Sequence, residues 1–406
     1  MEKSVKKGMP LATQIFIALF LGIIAGIAMT GQVQFVNGYI TPFGTIFLNL
    51  VKWIVTPLVF FSIMSGVISM KDIRKIGSVG VKTLIYYLCT TAIAITIGLV
   101  LANSLKYLFP VLQTTDLAYK ASKSANFMDA LVNIFPSNFI TPFANANMLQ
   151  IIAASLFIGF ALLMVSSHDN DNSEFKAVEK LNAVCMKVME MIIKLSPIAV
   201  FCLICPVVAE NGSAVLGSLA KVLLIAYITY ILHSVLIYSL SVKIFAGLSP
   251  FKFFKGMFPA IAFAFSSASS VGTLPINMEC AGKLGADKDI ISFVLPLGAT
   301  INMDGTAIYQ GVCAIFIASC FGIDLTFPQI LTLVLTATLA SIGTAGVPGA
   351  SMVMLAMVLQ SVNLPVEGIA LVAGVDRIFD MGRTAVNITG DSACAIVVSA
   401  IERKKN

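Results

Sequence analysis

The last apolar segment of the chain carries a row of charged and amide side chains, which few folds can accommodate. At about 100° per residue, the polar positions within residues 376–391 fall within roughly 80° of one helix face. These positions are Asp376, Asp380, Arg383, Asn387 and Asp391. Inside a membrane such groups must face a protein interior, a ligand, an ion or water. An ion-pair network alone is disfavoured, because one arginine cannot neutralise three aspartates and bound cations would supply the missing charge.

The composition indicates that this segment lies in a membrane. Of the 406 residues, 58% are hydrophobic and 11% are charged, whereas soluble domains carry about 25% charged residues. The net charge of +6 does not predict nucleic-acid binding, because the Lys and Arg residues lie mainly in short loops and tails. The eight cysteines are scattered and predict small buried side chains rather than disulfides. His233 lies in an apolar helix and is predicted to be a packing residue rather than a ligand.

Apolar runs of membrane length recur along the chain and predict eight transmembrane helices. The first run follows a basic N-terminus, and a retained helix is favoured over a cleaved signal peptide because many spans follow. The predicted spans are residues 11–29, 40–70, 79–108, a fourth region ending near 165, 178–209, 214–245, 290–320 and the final helix. Pro136 and Pro142 predict that the fourth region begins in pieces. Residues 32–38 predict an uncharged polar loop.

Two further regions, residues 256–280 and 327–362, are too short for two crossings, which need about 40 residues. Each has a helix-breaking centre and predicts a re-entrant helical hairpin whose backbone lines a polar cavity. The seventh span is also interrupted. Asn302 and Asp304 would lie about 200° apart on a regular helix, so they share one site only if the helix unwinds between them.

The distribution of Lys and Arg predicts the orientation of the chain. The N-terminus, residues 71–75, 176–180 and 252–255 and the C-terminal tail are predicted to be cytoplasmic, with the uncharged loops outside. The two hairpins then enter from opposite faces, which is the inverted repeat typical of secondary transporters. The predicted fold class is an all-α, multi-pass protein of the inner (plasma) membrane with both termini in the cytoplasm.

Four motifs resemble the glutamate transporter homologues, the dicarboxylate/amino acid:cation symporter family. They are Ser-Ser-Val-Gly-Thr-Leu-Pro at 269–275, Asn-Met-Asp-Gly-Thr at 302–306, Gly-Thr-Ala-Gly-Val-Pro-Gly at 343–349 and Asp-Met-Gly-Arg-Thr at 380–384, continuing through Asn387 and Asp391. The likeness covers essentially the whole chain. It implies a homotrimeric, elevator-type transporter in the lipid bilayer, not an enzyme. It also implies scaffold helices in residues 11–75 and 128–210, with a mobile transport domain formed by residues 76–110 and 214–406.

The same resemblance implies a pocket for an acidic amino acid. Arg383 is expected to pair with the side-chain carboxylate and Asp380 with the α-amino group, which agrees with the bidentate geometry of a guanidinium. The other implied positions are Thr306, Thr384, Asn387 and the backbone around Ser270, Val347 and Ser351. Free backbone N–H groups at the hairpin tips suit the α-carboxylate.

Three Na⁺ sites are implied in the same way, and cages made only of oxygen ligands suit such hard cations. The first contains the carbonyl of Gly298 with Asn302, Asn387 and Asp391, with Asp376 close by. The second contains Asn302 and Asp304 with Tyr87, Thr90 and Thr91. The third contains Thr300 with carbonyls of Ser341, Ile342 and Thr344. Without the resemblance, the three residues of the third span would be interpreted as packing residues.

The chain departs from the family pattern at two places. Many relatives carry an additional arginine at the first hairpin tip, where Ala268 stands, or at the position of Met381. Here the additional arginine is Arg377, which is expected to substitute electrostatically or to alter cation dependence or elevator kinetics. Gln310 stands where relatives that countertransport K⁺ tend to have a glutamate, which argues against K⁺ countertransport.

The leading hypothesis is therefore Na⁺-coupled uptake of L-aspartate or L-glutamate. A dicarboxylate carrier would not need Asp380 as an ammonium partner, and a carrier of neutral amino acids would lack Arg383. Proton coupling without Na⁺, for an acidic amino acid or a dicarboxylate, stays open as the alternative, because desolvated aspartates can carry protons. A pure anion channel leaves the acids unexplained. A hydrolase using Ser269 or Ser270 lacks a histidine or lysine partner.

Overall fold

The computed structural model describes residues 9, 11–69, 77–111, 132, 135–145, 147–166, 173–211, 214–341, 350–373 and 375–404. All regular elements among them are helical. The first half contains α1 (Leu11–Ala28), α2 (Val33–Tyr39), α3 (Thr41–Ser69), α4 (Ser78–Ser104), α5 (Ile140–Ala144), α6 (Met148–Ser166), α7 (Ser173–Ile193) and α8 (Ser196–Asn211).

The second half contains more and shorter helices. They are α9 (Ala214–His233), α10 (Ser239–Ala246), α11 (Pro250–Ser267), α12 (Ser270–Lys283), α13 (Lys288–Ile301), α14 (Asp304–Cys320), α15 (Phe327–Ala340), α16 (Ala350–Ser361), α17 (Ile369–Ala373) and α18 (Asp376–Arg403). A π-helical turn, Ser234–Tyr238, joins α9 to α10. Short 3-10 turns lie at Lys106–Leu108 and Val366–Gly368.

Four helical stretches are long and apolar enough to cross a membrane. They are Ser78–Ser104, Gly217–Ala246, Lys288–Cys320 and Asp376–Arg403. The successive helices α7 and α8, bent by 56°, give a fifth if they are taken as one span. Shorter apolar helices lie within α1, α3, α6 and α15. By length and composition the described residues thus supply four or five spans, and the count of eight stays a prediction.

One expectation from the sequence is wrong and another needs detail. Residues 32–38 form a helix, α2, rather than a polar loop, because the side chain of Val36 is fully buried against Cys205 and Ala209 of α8. The fifth predicted span, residues 178–209, consists of two helices, α7 and α8, bent by 56°. It breaks at a turn before Ser196, and Pro197 then occupies the first turn of α8, a position where its missing N–H costs no hydrogen bond.

Two of the three interruptions predicted from the sequence are observed. Helices α11 and α12 are separated by Ala268, which is left-handed at φ +50°, and by Ser269, whose hydroxyl accepts a hydrogen bond from the Gly272 N–H at 3.1 Å. Helices α13 and α14 are separated by the unwound residues Asn302 and Met303. Helices α15 and α16 pack together, and residues 342–349 between them lie outside the described part of the chain.

The helices pack in two groups. In the first, α3 contacts α6, α7 and α8, while α1 lies along α8. In the second, α18 contacts α10 to α14, and α14 lies along α4. Helix α15 packs on α4, whereas α16 contacts α14 in the second group and α3 and α6 in the first. The polar face of α18 consequently lies inside the second group, surrounded by the interrupted helices.

Candidate functional site

All five polar residues on the face of α18 are buried, at 1–6% exposure. Arg383 bonds two of the carboxylates on its own helix. Its Nε and Nη2 lie 3.0 and 2.9 Å from Oδ1 of Asp380, and its Nη1 lies 3.1 Å from Oδ1 of Asp376. The guanidinium carbon also lies 4.8 Å from the centre of the Tyr309 ring. This cation is therefore held by two anions and an aromatic face, which are the kinds of partner that stabilise a buried guanidinium.

Arg377 connects α18 to the turn between α11 and α12. Its Nη2 donates to the carbonyl of Ser267 at 3.1 Å, and its Nη1 lies 3.5 Å from Oδ2 of Asp380. Asp380 thus lies between two arginines, and the hydroxyl of Thr384 lies 3.5 Å from its Oδ1. The additional arginine therefore belongs to the same charge cluster as Arg383 and contacts the last residue of α11.

The unwound segment between α13 and α14 contacts the second half of the α18 face. The Asn302 amide donates to Oδ1 of Asp391 at 2.8 Å and to the carbonyl of Asn387 at 3.0 Å. The Gly305 N–H donates to Oδ1 of Asn387 at 2.7 Å, and Thr306 Oγ1 lies 3.4 Å from the Asn387 amide nitrogen. The Asn302 side-chain oxygen is buried and has no hydrogen-bond partner. A free oxygen beside a buried carboxylate is a suitable ligand pair for a hard cation.

Gly298 lies against the Asp391 carboxylate. A methyl group built on this glycine would be 2.5 Å from Asp391 Oδ1 and 2.5 Å from the Tyr87 hydroxyl oxygen. The Tyr87 hydroxyl donates to the Val294 carbonyl at 3.0 Å, in the helix that carries Gly298. Tyr87, which the resemblance assigned to the second cation cluster with Asp304, therefore borders the first cluster.

Asp304, the first residue of α14, is fully buried, and four side-chain groups that can donate lie within 3.3 Å of its carboxylate. Thr91 and Thr90 of α4 lie 2.7 and 3.3 Å from its Oδ1. On its other side, the Tyr238 hydroxyl and His233 Nε2 lie 2.8 and 3.3 Å from Oδ2. In the described part of the chain, neither Asp304 nor Asp391 forms an ion pair with a lysine or arginine.

The other predicted positions are less closely grouped. Ser270, at the start of α12, and Ser351, in α16, are both buried, and the Ser351 hydroxyl has no partner. The hydroxyls of Thr300 and Ser341 each donate to a carbonyl of their own helix, at 2.9 and 2.7 Å. The remaining predicted positions, Ile342, Thr344 and Val347, lie outside the described residues.

Asp376 was predicted to lie near the Asp391 cation site, and this is wrong. Both residues belong to the unbroken helix α18, and a separation of fifteen residues corresponds to about 22 Å along the helix axis. Asp376 instead pairs with Arg383 at the other end of the polar face. The two carboxylates share a helix face, but they are too far apart to bind the same cation.

His233 and Tyr238 are the residues that sequence reasoning missed. On an α-helix, positions five apart point about 140° away from each other, so no periodic pattern joins the two. Their common orientation depends on the π-helical turn between them. The signal available in the sequence was weaker: a histidine and a tyrosine within an otherwise apolar segment.

Buried, partly unpaired carboxylates beside interrupted helices in an apolar helical protein define a membrane transporter of the broken-helix class. The comparison with known families is more specific. The chain belongs to the Sodium:dicarboxylate symporter family, which it matches over residues 11–401. This is a family of transporters and not of enzymes, and it supports the resemblance drawn from the four motifs.

Proteins similar to this chain are described as transporters of different substrates. The chain is 36% identical to the "Proton/sodium-glutamate symport protein" of Bacillus subtilis (strain 168), covering 98% of this chain and 94% of that protein. It is 34% identical to the "Proton/glutamate-aspartate symporter" of Escherichia coli (strain K12), covering 97% and 93%. It is 31% identical to the "C4-dicarboxylate transport protein" of Rhodopseudomonas palustris (strain BisB18), covering 95% and 86%.

Proposed function

We propose that the protein is a Na⁺-coupled symporter that takes up L-aspartate or L-glutamate. The observation that carries this proposal is the charge pattern along α18. One end has a guanidinium already matched to carboxylates, and the other has the Asp391 carboxylate, which pairs with no lysine or arginine among the described residues. The first end suits a zwitterionic acidic substrate and the second suits metal cations. The names of the glutamate-transporting relatives agree with this substrate class.

The bond between Arg383 and Asp380 suggests how the substrate is recognised. A substrate side-chain carboxylate that enters beside Arg383 would take the place of Asp380 at Nε and Nη2. The α-ammonium group of the same substrate would then neutralise the released Asp380. One ion pair within the protein is thus exchanged for two between protein and substrate. A dicarboxylate without an amino group would leave Asp380 with only the longer 3.5 Å contact to Arg377, and a weakly paired buried charge costs free energy.

The remaining pocket contacts are proposed from the resemblance and from proximity. Thr384 lies beside Asp380, while Asn387 and Thr306 lie near each other at the next turn. The α-carboxylate is assigned to backbone N–H groups of the two hairpin tips around Ser270 and Ser351. Both serines are buried, and the free hydroxyl of Ser351 is available to a ligand.

A number of coupling ions can be proposed from the charge balance of the polar cluster, taking all of its carboxylates as ionised. Its carboxylates are Asp304, Asp376, Asp380 and Asp391, and its guanidinium groups are Arg377 and Arg383. Four negative and two positive charges leave a surplus of two negative charges. An acidic amino acid adds one more, so three monovalent cations would restore neutrality. Three is also the number of Na⁺ sites that the resemblance implies.

The architecture proposed for transport is the elevator. The two packing groups of helices agree with a scaffold in residues 11–75 and 128–210 and a moving domain in residues 76–110 and 214–406. In this proposal, α11 with α12 and α15 with α16 are the re-entrant hairpins that close the site from opposite sides. The protein would work as a homotrimer in the plasma membrane, with both termini in the cytoplasm.

Uptake into proteoliposomes, with Na⁺ and pH gradients imposed separately, tests the proposal. Radiolabelled L-aspartate should accumulate when Na⁺ is higher outside, at equal pH on both sides. It should not accumulate with a pH gradient alone. Accumulation driven by the pH gradient in the complete absence of Na⁺ would contradict the coupling assignment and leave the substrate assignment intact.

A proton-coupled carrier is the second candidate. Donor groups lie at both oxygens of the Asp304 carboxylate, and the Escherichia coli relative is described as a proton/glutamate-aspartate symporter. The pH-gradient arm of the same experiment supports this candidate if it drives uptake. Competition by succinate, a C4 dicarboxylate, separates a dicarboxylate carrier from an amino acid carrier.

A further inference from the structure

The π-helical turn Ser234–Tyr238 is the feature of the site that the proposed function does not use. It interrupts the stretch Gly217–Ala246, which is otherwise a single span. Turns with i→i+5 hydrogen bonds are rare and are found mostly at functional sites. The turn begins directly after His233 and ends with Tyr238, the two residues of this segment that contact Asp304.

The wider turn places two side chains on one side of the helix. His233 and Tyr238 are both fully buried, and their rings meet edge to face with centroids 5.0 Å apart. Both reach the same atom, Oδ2 of Asp304, at 3.3 and 2.8 Å. The Tyr238 hydroxyl also lies 3.3 Å from the Val386 carbonyl, but the shorter distance assigns its proton to Asp304.

The four donors divide the Asp304 carboxylate into two sides. Thr91 donates to Oδ1 at 2.7 Å, and Thr90 lies 3.3 Å from Oδ1 with a 3.2 Å contact to the Tyr87 carbonyl. Tyr238 and His233 lie at Oδ2. A threonine hydroxyl can turn its hydrogen away and offer oxygen lone pairs to a cation. Tyr238 and His233 hold Oδ2 as donors and so contribute no lone pair there. A cation can therefore enter on the threonine side without breaking the contacts to Oδ2.

We propose that His233 and Tyr238 are positioning residues that fix the Asp304 carboxylate for Na⁺. The inference rests on the proposed function, in which Asp304 is a cation ligand. The two side chains do not contact the ion. They hold Oδ2 so that Oδ1 keeps one position opposite the hydroxyls of α4. Partners of this kind orient a ligand, and their loss typically weakens metal binding about 10–100-fold.

Sodium titrations of purified protein in detergent test the proposal. The quantity measured is the Na⁺ concentration that gives half-maximal binding of radiolabelled L-aspartate. The same titration is then carried out with Li⁺ in place of Na⁺. Tyr238→Phe removes one hydroxyl and keeps the ring, and it should raise the half-saturating Na⁺ concentration about tenfold. His233→Leu should have a similar effect, whereas His233→Gln, which retains an N–H donor, should recover part of the loss.

A matched control is available on the facing helix. The Tyr86 hydroxyl bonds the Ser241 hydroxyl at 2.9 Å and so joins α4 to α10 without contacting Asp304. Tyr86→Phe should therefore leave the half-saturating Na⁺ concentration within twofold of the parent. The ratio of Na⁺ to Li⁺ affinity should fall in Tyr238→Phe and not in Tyr86→Phe, because a loosened cage discriminates less by ion size.

The outcomes separate this inference from the function on which it rests. If the parent protein binds L-aspartate without any dependence on Na⁺, both proposals fail. If the parent depends on Na⁺ and Tyr238→Phe and His233→Leu fold but keep the parent's Na⁺ curve and ion ratio, the positioning role alone is overturned. A lower melting temperature with an unchanged Na⁺ curve assigns the pair to packing, and it also overturns the inference.

Discussion

Adding one methyl group at Gly298 tests the first cation cluster without changing any charge. In Gly298→Ala the new carbon would lie 2.5 Å from Asp391 Oδ1, 2.7 Å from Asp391 Cγ and 2.5 Å from the Tyr87 hydroxyl. Rotating the carboxylate does not relieve a contact to Cγ, so the whole Asp391 side chain must move. That movement also disturbs its 2.8 Å hydrogen bond from the Asn302 amide.

The magnitude follows from the cost of overpacking. An extra carbon in a well-packed interior costs about 1–3 kcal/mol. If that cost falls on the cation-bound state, in which Asp391 must keep its position, Na⁺ affinity should drop about 5–150-fold, since 1.4 kcal/mol corresponds to a factor of ten. The backbone carbonyl of residue 298 remains, so the loss would come from the displaced carboxylate.

The assay is the Na⁺ titration of L-aspartate binding, with thermal unfolding measured on the same samples. Gly282→Ala is the matched control, because its new methyl would meet only Ile291 Cδ1, at an ordinary 3.6 Å. The control should follow the parent curve. A folded Gly298→Ala protein whose half-saturating Na⁺ concentration stays within twofold of the parent would refute the assignment of Asp391 as a cation ligand.

Three further substitutions address the rest of the site. Arg383→Ala should weaken L-aspartate binding at least about 100-fold, because two charge-assisted contacts of about 1.5–3 kcal/mol each are lost; isothermal titration at saturating Na⁺ would reveal any preserved affinity. Asp391→Asn should raise the Na⁺ requirement more than it changes L-aspartate affinity at saturating Na⁺, and equal effects on both would argue against a cation role. Gly305→Ala should destabilise the protein by about 3 kcal/mol, because its methyl would lie 2.3 Å from the Arg383 carbonyl oxygen; an unchanged melting temperature would contradict that close contact.

The polar face of α18 could be predicted because charge in an apolar helix is conspicuous and follows the 3.6-residue period. The break at Asn302 was predictable for a related reason, since a straight helix would point it away from Asp304. The error at Asp376 arose because a shared face fixes direction around an axis and says nothing about distance along it. The spacing of polar residues therefore cannot show how far apart two sites on the same helix lie unless the neighbouring helices at each site are known.

The donors to Asp304 were beyond sequence reasoning for a different reason. Thr90 and Thr91 were found only through the family resemblance, since two threonines in an apolar helix have no pattern of their own. His233 and Tyr238 depend on a local change of helix type, which tertiary packing selects. Helix α2 could not be predicted from the sequence either, because the burial of Val36 depends on α8, which lies far away in sequence.

The close contact between Gly305 and Arg383 has a mechanical consequence. The position of a Gly305 methyl would be 2.6 Å from Arg383 Cα, so two backbones touch where the guanidinium is anchored. Gly305 follows Asp304 directly and is three residues from Asn302 in the unwound segment. A small backbone shift at Arg383 would therefore reach Asp304 and Asn302, the two proposed cation ligands, without passing through any flexible side chain. If the proposed sites are correct, substrate binding and the geometry of the cation ligands are linked through the backbone itself.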